Sequence, residues 1–115
     1  MDPIGTGGLP PILAQLLAPW LDAIEASEPG MGDHVMAVAA HCSDTVRRRI
    51  EFTPALEGVF ADTLAATDTL ATALDMRRVV PPWVRKAARE AMINLIAALR
   101  GAEPNAVTKE LGLGW

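Results

Sequence analysis

PPWVRKAAREAMINLIAALRG, residues 81–101, decides the fold. Val84, Ala88, Ala91 or Met92, Leu95 and Leu99 recur at intervals of three and four, the period of one helical face. Proline suits a first helical turn, because its φ is already helical and its missing N–H has no partner there. Gly101 supplies a stop. The spacing predicts a helix over 82–100.

The same period extends outward on both sides. Thr53-Pro54 reads as a cap followed by a first-turn proline. Leu56, Phe60, Thr63 or Leu64, Thr67, Leu70 and Leu74 then form a buried face, and the helix ends by about Arg78 because Val80, before Pro81, avoids the helical region. Upstream, a helix starts near Met31–Asp33, with Asp33 as N-cap. Its inward face is Val35, Ala39, Cys42, Val46 and Ile50, and Arg47, Arg48 and Arg49 lie in its last turns.

Earlier still, Leu9-Pro10-Pro11-Ile12 opens a first helix with Leu13, Leu16, Leu17, Trp20, Leu21 and Ile24 on one side. Pro19 predicts a kink or two short helices. After Gly101, Glu103-Pro104 opens a short helix from Asn105 to Leu111, stopped by Gly112. No segment alternates with period two. The fold expected is all-α: a four-helix up-down bundle with a kinked first helix and a short C-terminal fifth helix. Residues 1–8 are expected to be a flexible N-terminal segment, and 9–115 a single helical-bundle domain.

Composition bounds the function. Half of the chain is apolar, alanine is its commonest residue, and the mean hydropathy is +0.23. That is high for a domain with much surface and little interior, so a homodimer or an obligate protein partner is expected. A formal charge of −4 argues against duplex DNA as a partner. No run reaches the roughly 20 apolar residues of a membrane span, and Met1–Gly8 lacks the positive start of a secretory signal. A cytoplasmic location is the default, and the lone Cys42 excludes an intrachain disulfide.

Three groups of residues are candidates for chemistry. His34, His41 and Cys42 share the second helix, and Thr63 and Thr67 lie near the inward face of the third; together they could line a small-molecule site between those helices. The histidines are seven residues apart, about 10.5 Å along a helix, too far to share one metal. His41 and Cys42 point about 100° apart, a poor base–nucleophile pair. The structural alternative puts Cys42 in the core and has each threonine hydroxyl bond back to a carbonyl one turn earlier.

Arg77, Arg78, Arg85, Lys86 and Arg89, with Trp83 as a stacking surface, could bind an anion or a nucleic-acid strand. The structural alternatives make these cations a solvated face that complements the helix dipole, or let them meet Glu25 and Glu28 at one end of the bundle. Residues 105–113 resemble the first helix and turn of a helix-turn-helix. No recognition helix follows it before Trp115, so the tail reads as a capped terminal helix, with Trp115 as an apolar anchor.

No catalytic residue, cofactor or metal site is assigned. The leading expectation is a small helical interaction or oligomerisation module, a subunit or adaptor. Its expected interface is the wide stripe Ile12, Leu13, Leu16, Leu17 and Trp20.

Overall fold

A computed structural model describes residues 8–76 and 79–112. Of the described residues, 76% are helical. Its helices are α1 (Pro11–Ala26), α2 (Gly32–Arg47), α3 (Pro54–Met76), α4 (Pro82–Leu99) and α5 (Ala106–Glu110). The four long helices pack in a ring, α1 on α2, α2 on α3, α3 on α4, with α4 closing on α1. No strand occurs among the described residues; one antiparallel bridge joins Ile50 to Pro104.

The inward faces follow the hydrophobic period. Val84, Ala88, Met92, Leu95 and Leu99 are buried on α4, and Leu56, Phe60, Thr63, Thr67, Leu70 and Leu74 on α3. Val35, Ala39, Cys42 and Val46 do the same on α2. Small side chains at Ala39, Ala71 and Ala88 let helix backbones approach, and Trp20 from α1 fills the centre with no exposure.

α1 runs through Pro19 as one helix and is not split into two short ones. The bond that proline cannot make would have gone to the Gln15 carbonyl. Both Pro19 and Gln15 lie on the exposed side, where water can donate to that carbonyl instead.

Helix ends are tied together by contacts distant in sequence. Thr53 Oγ1 accepts from the Leu56 amide at 3.2 Å, the expected cap of α3. Asp33, by contrast, is not the cap of α2. It lies inside the first turn, and the side chain of the N-cap Met31 makes no capping bond to α2. Asp75 from the end of α3 acts instead, its Oδ1 accepting from the Gly32 amide at 2.9 Å. The Gly30 amide, at φ +91°, donates to the Leu74 carbonyl at 2.8 Å. The α1–α2 turn is thus seated on the C-terminal end of α3.

The far end of α2 is closed by the tail. Asn105 caps α5 by accepting from the Thr108 amide at 2.8 Å. Its amide side chain donates to the Arg48 carbonyl, while Thr108 Oγ1 donates to the Arg49 carbonyl at 3.1 Å. These carbonyls at the end of a helix have no partner within it. The capped terminal helix expected for the tail is present as α5; Trp115 lies outside the described residues.

Candidate functional site

The interior candidates are structural in their bonding. Thr63 Oγ1 donates to the Val59 carbonyl at 2.7 Å, with the Ala91 carbonyl of α4 also within 3.3 Å. Thr67 Oγ1 donates to the Thr63 carbonyl at 2.7 Å and accepts from Trp20 Nε1 at 3.1 Å. These are the back-bonds that let a helix bury a hydroxyl. Cys42 is buried, and burial pushes its thiol above the ordinary range. His34 and His41, however, are exposed on the outer side of α2. His34 borders a hollow of about 400 Å³ between α1 and α2, with Pro19, Asp22, Ser27 and Met31. The five residues of this candidate site therefore do not converge. Among the described residues no three His, Cys, Asp or Glu side chains gather as a metal would require.

The stripe on α1 faces inward. Leu13, Leu17 and Trp20 have no exposure, while Ile12 and Leu16 are half-buried against the core. The first three cannot form a surface for another chain. The stripe is wide because α1 meets α2 and α4 and reaches α3 across the centre through the Trp20–Thr67 bond.

The basic cluster divides. Arg85 reaches from α4 to the end of α1, where its guanidinium donates to the Ile24 carbonyl, to Ser27 Oγ at 3.1 Å and to the Ser27 carbonyl at 2.9 Å. Arg89 forms a bidentate pair with Glu25, at 2.5 and 2.7 Å. That pairing holds the Glu25 carboxyl below its ordinary range and raises Arg89. Lys86 is exposed and lies 4.0 Å from Glu90. Two of the cations proposed for an anion are thus bonded within the bundle: Arg89 pairs with Glu25, whereas Arg85 bonds to carbonyls and Ser27 at the end of α1. Arg77 and Arg78 lie outside the described residues.

Trp83 stands apart from these bonds. It is 63% exposed, Met76 at the end of α3 is 78% exposed, and Val79 in the connection is 80% exposed. Trp83 and Pro81 wall two neighbouring hollows. One, of about 420 Å³, lies along α3 and is bordered by Asp68, Thr69, Thr72 and Met76. The other, of about 590 Å³, lies toward α1 and is bordered by Val80, Pro82, Arg85, Lys86 and Arg89. A large indole projects between an acidic hollow and a basic one.

The sequence carried a signal for this corner. Trp83 precedes Val84, the first residue of the α4 stripe, and so points about 100° off the buried face. Met76 likewise falls two residues past Leu74. No family model matches the chain, and neither a curated protein nor a solved structure is similar to it.

Proposed function

We propose that this chain is a non-catalytic helical interaction module, a subunit or adaptor, that docks to another protein chain through the α3–α4 corner at Trp83. The observation that carries this reading is the exposure of Trp83 beside Met76, between two hollows. Large exposed apolar clusters rimmed by polar groups mark interaction sites. Trp and Met are enriched where protein chains meet, and buried Trp side chains dominate the energy of such contacts. The corner is also well supported from behind: Val84 is buried, and Arg85 fixes α4 to the end of α1. A contact surface on braced helix ends loses little order on binding.

The test is site-specific photo-cross-linking in the cells that make the protein. A benzophenone side chain replaces Trp83 in one variant and exposed Asp62, on α3, in another. A discrete cross-linked protein from position 83, absent from position 62, is expected. Equal cross-linking from both positions, or none from position 83, overturns the reading.

A further inference from the structure

We infer that the chain docked at this corner is a second copy of the same protein, related by a two-fold axis along the Trp83 ridge. This rests on the docking reading above. The two hollows share their apolar wall and differ in charge. Asp68, with the hydroxyls of Thr69 and Thr72, borders the hollow on the α3 side. Lys86 borders the hollow on the α1 side. A two-fold axis lying in the contact plane exchanges those sides. The acidic hollow of each copy then faces the basic hollow of the other, and the pairing occurs twice.

A corner of one sign would repel its own copy. This one is complementary to itself, with the Pro81–Trp83 wall at the centre and Asp68 and Lys86 on opposite flanks. Lys86 is the cation suited to reach across. Arg85 and Arg89 are bonded to α1, whereas Lys86 is exposed and its Glu90 pair is long, at 4.0 Å. An anionic surface, such as a nucleic acid or an acidic membrane, would match Lys86 on one flank but meet Asp68 on the other. A partner carrying both signs is favoured, and the chain itself carries both at the right places.

The inference is tested by charge exchange, read as mass by sedimentation equilibrium over a concentration series. The wild type is expected at twice the 12.2 kDa chain mass. Asp68→Lys alone or Lys86→Glu alone places like charges opposite each other twice, and each is expected to weaken association roughly tenfold or more. The double variant restores opposite charges and is expected to return to the dimer. So is an equimolar mixture of the two single variants, now as a heterodimer. Circular dichroism establishes that all variants remain helical.

A wild type that stays at one chain mass throughout overturns the inference. So does a dimer whose single variants associate as the wild type does, or one that the double variant fails to restore. If the wild type is monomeric and position 83 still cross-links to a different protein, only the two-fold inference fails. If position 83 cross-links to nothing, the docking reading fails with it.

Discussion

Trp20 on α1 and Thr67 on α3 are joined across the centre of the bundle, Nε1 to Oγ1 at 3.1 Å, with neither residue exposed. An indole N–H in an apolar interior needs an acceptor. The threonine hydroxyl can accept because its own proton is directed to the Thr63 carbonyl. The pair fixes the rotation of α1 against α3, helices on opposite sides of the ring. Thr67→Val keeps the shape and removes the acceptor. The orphaned donor is expected to cost about 1–3 kcal/mol. That corresponds to a fall in Tm of about 5–15 °C. Thr67→Ser should retain most of the wild-type Tm; equal Tm for Val and wild type would mean that the bond contributes nothing.

Gly32 and Gly58 should respond to alanine in opposite directions. A Cβ on Gly32 would overlap the Ala71 carbonyl oxygen and the Asp75 carboxylate, so the α1–α2 turn must move off the end of α3. The expected cost is about 1–3 kcal/mol. Gly58 lies within α3 with open space around its would-be Cβ, and Gly58→Ala should stabilise by about 0.5–1 kcal/mol. Urea unfolding of the two variants measures both signs.

The Glu25–Arg89 pair predicts a pH dependence. Its guanidinium lowers the Glu25 pKa on folding. A carboxyl lowered in this way adds stability above its unfolded-state pKa, and that stability is lost as pH falls through the folded-state value. Wild type should therefore be more stable than Glu25→Gln at pH 7, and the difference should fade below about pH 4. Both side chains are close to 40% exposed, so solvent screening limits the difference to at most about 1 kcal/mol. A gap between the two melting curves that widens in acid would contradict the assignment.

Cys42 should react slowly with thiol reagents in the native bundle and rapidly in denaturant. It is 3% exposed, and burial raises its thiol pKa, so both access and thiolate are reduced. Native labelling as fast as in denaturant would place the residue at the surface.

The helical faces were legible because burial repeats with the helical period, and nearly every position assigned inward on α2, α3 and α4 is buried. The threonine back-bonds were legible too, since they are local. What escaped was long-range. A broad stripe such as Ile12 to Ile24 reads equally well as two faces or as one face that meets several helices. The deciding feature is an acceptor for the Trp20 indole, 47 residues away. The cap of α2 was misplaced for the same reason: a local Asp33 is visible in sequence, whereas Asp75 acts from 43 residues downstream. Arg85 looked like a ligand-binding cation, and its true partners are carbonyls at the end of α1. The exposure of Trp83 is legible in its offset against Val84, although the residue lies within a basic run.

The most direct measurement is the absolute mass of three chains in parallel: wild type, Trp83→Glu and Leu16→Gln. Two-fold self-docking through the α3–α4 corner predicts that wild type and Leu16→Gln sediment as two chains and Trp83→Glu as one, with helicity retained in all three. A Trp83→Glu chain that still sediments as two, with Leu16→Gln reduced to one, would contradict the corner and return the contact to α1.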